Sequence, residues 1–325
     1  MSYLRRRTLL FSINITLLLL TFFVSLNTGA VKVAPAEILK SLFSESTGTS
    51  GIVRDIRLPR LLIAIIAGMN LSISGVMLQA VMQNPLVEPG ITGISAGAAL
   101  VTIIFFLYFP QNYYYSPILS FFGGILAAVV VYFMAWKKGL TPVRIVLSGV
   151  IVNSLLGSMI SLISILNSEK VGSILSWLNG SLAGRGWSQA KSLAIYSLFG
   201  YVMSVLVLKA CNVILLGDKN VQNVGYNVNL LRVVISAVGI YLAAVSTSII
   251  GIVGFLGLVV PHISRFIVGS NYYVLVPYSA ISGALLLLVA DTLARTLFAP
   301  TELPVGIIMS LIGAPFFLFL LRKRS

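Results

Sequence analysis

Arg54, Arg57 and Arg60 stand three residues apart, and Asp291 precedes Arg295 by four. A guanidinium is a permanent cation whose planar fork of donors grips a carboxylate at two points. Spacings of three and four put side chains on one helical face, so the first set forms a basic stripe and the second an ion pair within one turn. Three chemistries fit this pattern: local pairing with Asp55 or Asp291, snorkelling to lipid phosphates, or capture of an acidic side chain from a docking partner. Covalent chemistry has little to work with. The single cysteine, Cys211, and the single histidine, His262, provide neither an internal disulfide nor a metal cage. His262 follows Pro261, where a helix-terminal or packing role fits better than a proton relay. No glycine-rich loop ends in Gly-Lys-Ser or Gly-Lys-Thr, so any use of ATP needs another subunit. Neither a metal site nor a cofactor is expected.

These residues sit in a chain that water could not solvate. Hydrophobic residues fill 58% of the 325 positions and charged residues 9%, with a mean hydropathy of +1.02; most of such a surface must face lipid. Lys and Arg number 22 against 8 Asp and Glu, a formal charge of +14. The basic residues are dispersed at the ends of apolar runs, which speaks for topology and partner docking and against nucleic acid. Apolar runs occupy 9–28, 61–81, 91–108, 117–136, 142–166, 192–210, 231–250, 254–268, 273–297 and 304–321. The expected fold is all-α: a single polytopic transmembrane domain over 1–325 with about ten spans. The run at 254–268 is short and interrupted by Gly257 and Pro261, so it is expected to cross incompletely or to be broken. Asn167 to Lys191, with Trp177 and Trp187, reads as a short interfacial helix and loop. Leu9 to Leu26 exceeds the apolar core of a cleaved signal peptide and reads as the first span.

An even number of crossings leaves both termini on one side, and Arg5–Arg7 with Arg322, Lys323 and Arg324 assign that side to the cytoplasm. Alternation then brings Lys137, Lys138, Arg144, Lys209, Lys219, Arg232 and Arg265 inside, and leaves Arg54, Arg57, Arg60 and Arg295 outside against the rule. Of the acidic residues, Glu37, Glu45, Asp55, Glu88, Glu169, Asp218 and Glu302 fall in loops or at span ends, so an ion-coupled secondary transporter lacks its mid-membrane carboxylate. Small residues recur at every fourth position in Ala64, Gly68 and Ser72, in Gly93 and Gly97, and in Gly149, Asn153, Gly157 and Ser161. Such lines let helices approach closely. Asn153 adds an amide suited to facing a water-filled path.

Four ordered blocks carry a resemblance. They run from Ile56-Arg57-Leu58-Pro59-Arg60-Leu61 through Asn84-Pro85-Leu86-Val87-Glu88-Pro89 to Gly93-Ile94-Ser95-Ala96-Gly97-Ala98; from Leu216-Gly217-Asp218 through Val224-Gly225 to Arg232; from Gly251 to Arg265; and from Ala290-Asp291 through Glu302-Leu303-Pro304-Val305-Gly306 to Phe317. From about residue 50 onward the chain resembles the FecCD/BtuC-type permeases of iron-siderophore, haem and vitamin B12 ABC importers. The resemblance implies ten spans and a non-enzymatic transport subunit. Its implied partners are a second permease subunit, identical or paralogous, a cytoplasmic ABC ATPase dimer and an extracytoplasmic substrate-binding protein. It implies that Arg57, Arg60 and Arg295 receive acidic side chains of the binding protein. The loop near 213–229, with Leu216, Gly217, Asp218, Val221, Val224 and Gly225, is implied to couple to the ATPase, although Val221 and Val224 stand where the family favours Ala and Leu. Leu140, Thr141 and Pro142 resemble the family's inner gate. Iron-siderophore complexes are the expected cargo, with vitamin B12 or haem as alternatives.

Overall fold

The computed structural model describes residues 3–29 and 51–324, so Glu37 and Glu45 lie outside the described residues. Thirteen α-helices occur there: α1 (Tyr3–Asn27), α2 (Leu58–Met82), α3 (Ile94–Tyr108), α4 (Ser116–Ala135), α5 (Pro142–Leu166), α6 (Val171–Leu178), α7 (Trp187–Leu206), α8 (Leu208–Ile214), α9 (Asp218–Asn223), α10 (Val228–Ile250), α11 (Leu256–Val268), α12 (Tyr272–Thr296) and α13 (Val305–Arg324). Six of them, α1, α2, α4, α5, α10 and α12, are long and apolar enough to cross a membrane alone. Helices α7 and α8 are long and apolar enough only as a pair, bent by 49°, and with the shorter apolar α3, α11 and α13 they account for the ten runs read from the sequence. The segment between α5 and α7 contains the short helix α6, as its composition suggested.

Local chemistry sets the helix starts. Proline stands in the first turn of α2, α4 and α5, where its fixed φ suits a helix and its missing N–H costs nothing. Asn227 accepts from Leu230 N–H at 3.1 Å to begin α10, and Asn271 accepts from Tyr273 N–H at 3.0 Å to begin α12.

Helix α2 is the central rod, buried along most of its length. Its small residues are the reason. A Cβ on Gly68 would run into the Gly283 carbonyl of α12, and one on Gly75 into the Gly257 carbonyl of α11. Gly97 of α3 meets the Gly123 carbonyl of α4 in the same manner. Where backbones touch, polar side chains bridge: Asn70 donates to Ser197 Oγ on α7 at 2.7 Å and to Ser246 Oγ on α10 at 3.0 Å, and Ser74 donates to the Gly239 carbonyl at 2.7 Å. With no water in the hydrocarbon, these groups must find partners in neighbouring helices.

Helix α11 has 13 residues, about 20 Å, too short for a hydrocarbon core of about 30 Å. It begins halfway down α2, because Gly257 lies against the Leu71 carbonyl and Gly75, and Leu71 is at the middle of α2. The turn between α2 and α3 rises to the same level: Pro89 packs on Gly257, and Glu88 Oε2 accepts from Phe255 N–H at 3.0 Å. Glu88 therefore lies deeper than its position between two spans suggests, and it caps a helix inside the membrane. Phe255 holds a left-handed conformation at φ 64, and Gly313 of α13 leaves room for it.

Replacing Gly75 by Ala should lower the unfolding temperature in detergent, at a cost of about 1–3 kcal/mol for overpacking. Gly157→Ala, where a Cβ meets open space, should not. Equal melting of the two variants would show that α2 does not depend on this contact.

Candidate functional site

At one end of α2 and α12 the outer arginines gather. Arg60 binds Asp291 through Nε at 3.1 and 3.2 Å and through Nη2 at 2.9 Å, and reaches Glu302 Oε2 with Nη1 at 2.7 Å. Arg295 Nε lies 3.2 Å from Asp291 Oδ2, the pair expected from their spacing. Arg295 and a third cation, Arg57, satisfy carbonyls at the end of α1, which have no partner within that helix. Arg57 donates to Leu26 O at 2.6 Å, and Arg295 to Thr28 O at 3.2 Å and Ser25 O at 3.3 Å. Basic side chains at a helix C-terminus also meet its dipole favourably.

Of the readings open for the outer arginines, local pairing holds for Arg60 and Arg295, which share the fully buried Asp291, and Arg57, Arg60 and Arg295 are only 5%, 7% and 6% exposed. The reason is that a guanidinium near hydrocarbon is held only where a carboxylate or carbonyl receives it. Arg54, Asp55 and Glu302 are exposed charges of the rim.

The coupling and gate residues converge at the opposite end. Gly217 and Gly225 adopt φ 81 and φ 87, conformations glycine takes without strain, and they bracket α9. Leu216 and Val224 are exposed, Asp218 is partly exposed, and Val221 is fully buried as the anchor of the turn. Asp218 accepts from Arg232 Nη2 at 2.9 and 3.0 Å. Arg232, buried in the first turns of α10, donates its Nη1 to the carbonyl of Leu140, whose own N–H donates to Asn229 Oδ1 at 2.9 Å. Leu140 is buried, Thr141 exposed, and Pro142 opens α5. One guanidinium thus ties the turn before α5 to the turn before α10. Arg232 was recognised in the sequence only as part of a block, and its bridging role appears once residues 92 apart are brought together.

Asn153 lies between these ends on α5, donating to the Gly90 carbonyl at 3.0 Å. Gly149, one turn earlier, packs on the Ile91 carbonyl, while Gly157, one turn later, faces open space. The line of small residues is packed in its first half and open in its second, where Ser158 and Ser161 are exposed.

The arrangement is two buried charged linkages at the ends of shared rods, with an open face on α5. Residues 17–323 match the model of the FecCD transport family. The chain belongs to that family. It is a multi-pass protein of the bacterial inner membrane and a transport component. Among its relatives, the Fe(3+)-citrate import permease YfmD of Bacillus subtilis is 36% identical over 318 residues, covering 98% of this chain and 95% of the relative. The iron(3+)-hydroxamate import permease FhuG of the same species is 34% identical over 327 residues, with 97% and 96% covered. A solved metal-chelate type ABC transporter in an inward-facing conformation superposes with a TM-score of 0.83 at 30% identity, covering 97% of this chain and 99% of that one.

Asp291→Asn should destabilise the folded protein by about 3 kcal/mol or more, because two buried cations lose their shared carboxylate. Glu302→Gln, at a side chain 42% exposed, should cost less than about 1 kcal/mol. Chemical unfolding in detergent measures both, and similar losses for the two variants would remove Asp291 from its central role.

Proposed function

We propose that this chain is one of two permease subunits of an importer for ferric chelates, fed by an extracytoplasmic binding protein and driven by a cytoplasmic ABC ATPase dimer. The observation that carries this reading is the family match along nearly the whole chain, joined to relatives named for ferric citrate and ferric hydroxamate import. The open half of α5, where Gly157, Ser158 and Ser161 stand among the exposed Leu155, Met159 and Leu162, suits a bulky solute held loosely between two subunits. Selectivity then rests chiefly with the binding protein.

On this reading both termini are cytoplasmic and the arginine end faces outward. Arg60 and Arg295 share Asp291 and Arg60 also holds Glu302, while Arg57 sits on the Leu26 carbonyl beneath the exposed Arg54. Acidic side chains of the binding protein dock on this rim, with the three buried arginines as its basic floor and Glu302 as the group they displace. At the other end, the exposed Leu216 and Val224 seat the α9 turn on the ATPase, and Gly217, Asp218, Val221 and Gly225 hold its shape. Closure of the ATPase pair moves Asp218. Arg232 passes that movement to Leu140, and through Thr141 and Pro142 to α5. The path alternates between two arrangements biased by nucleotide and by the docked protein.

Reconstitution of the permease with its ATPase and binding protein in vesicles tests the reading. Uptake of radiolabelled ferric citrate or a ferric hydroxamate should need ATP and all three components, and docking should weaken as salt is raised. Full-speed uptake by the permease alone under an ion gradient would overturn the importer, and docking insensitive to salt would release the arginines from it. In the same vesicles Arg232→Gln should leave ATP hydrolysis within about twofold of normal while uptake falls at least about tenfold, a loss of roughly 1.4 kcal/mol of coupling. Uptake and hydrolysis falling together would show that Arg232 serves assembly instead of transmission.

A further inference from the structure

A cavity of about 480 Å³ lies between α4 and α7 on the side of α10, apart from α5 and the two charged linkages. Phe121 of α4 and Tyr196 of α7 wall it, Tyr241 and Ser248 of α10 form its floor, and Trp177 and Arg185 close one end. Tyr241 is held in place by edge-to-face contacts with Phe121 at 5.8 Å and Phe199 at 5.5 Å, and its hydroxyl donates to Tyr196 O at 3.0 Å. The helices flanking the mouth present Ile118, Phe122 and Leu198 outward, 49%, 61% and 64% exposed. In a membrane-spanning bundle such faces meet lipid chains, so the crevice opens sideways into the bilayer.

Arg185 is the unusual member. Its Nε is shielded from solvent and has no hydrogen-bond partner, and none of the ion pairs among the described residues includes it. The neighbouring Trp187 donates Nε1–H to Arg54 O at 2.9 Å, which fixes this corner at the arginine end of the bundle, where headgroups lie. A guanidinium with no carboxylate partner among the described residues, at the head of an aromatic crevice, calls for an anion that brings its own apolar tail. A free phosphate satisfies only the cation, and a neutral lipid only the rings.

We propose that the crevice binds one anionic phospholipid from the leaflet at that end, its phosphate on Arg185 and an acyl chain along Phe121 and Tyr241. The site is independent of the transported solute and does not rest on the importer reading.

Native mass spectrometry and thermal unfolding of the delipidated full-length protein, with phosphatidylglycerol, phosphatidylcholine or inorganic phosphate added back, test this. Phosphatidylglycerol should stay bound and raise the unfolding temperature; phosphatidylcholine should do so much less, and inorganic phosphate not at all. Arg185→Gln should weaken phosphatidylglycerol retention about tenfold, as expected for losing one charge-assisted contact. Ser192→Trp, which fills the crevice and spares Arg185, should remove the bound lipid as well, and it serves as the deciding variant where Arg185→Gln fails to fold. Undiminished retention in Ser192→Trp overturns the site. Equal stabilisation by inorganic phosphate, or by phosphatidylcholine, overturns its assignment to an anionic lipid.

Discussion

The bundle depends on backbone meeting backbone along α2. Lipid chains are as apolar as leucine, so no hydrophobic gain pulls helices together within the hydrocarbon. What remains is dispersion, which falls away over fractions of an ångström, and hydrogen bonds that cannot be traded for water. Gly68 and Gly75 let α2 lie directly against the carbonyls of α12 and α11, and that closeness brings Asn70 and Ser74 within reach of α7 and α10. Larger residues at those two glycines would separate the rods and strand the polar groups together.

The same close approach governs the charges. Because α2 and α12 run side by side, Arg60 and Asp291, 231 residues apart, meet in a dry place. Asp291 is then shared with Arg295, which together with Arg57 also serves the end of α1. Positive residues on a face where the topology preference disfavours them are thus accounted for in part by structure: they fasten the first span to the central pair. Any role in receiving a partner is added to that function.

Much of the fold was legible because the bilayer enforces long apolar runs, and the ten runs became helical, the one at 192–210 split between α7 and α8. The pair Asp291 and Arg295 was readable as well, being one turn apart on one helix. The depth of Glu88 was not, because its partner Phe255 is 167 residues away and nothing local marks a turn that rises back into the membrane. The burial of Arg57 and Arg60 was likewise hidden: an arginine near the end of an apolar run has the same local pattern whether it faces water or a carboxylate from a distant helix. Arg232 stood in plain sight within a motif, yet its two acceptors belong to different turns and are joined only by the folded chain.

The Glu88 carboxylate has one more effect. A helix that starts halfway through a bilayer would point the positive pole of its dipole into the interior, and half-helices of that kind often act as snares for anions in transporters. In this molecule the N–H of Phe255 at that pole is already taken by the Glu88 carboxyl group. An anion arriving at that depth would have to displace a side chain of the protein itself before it could meet this donor.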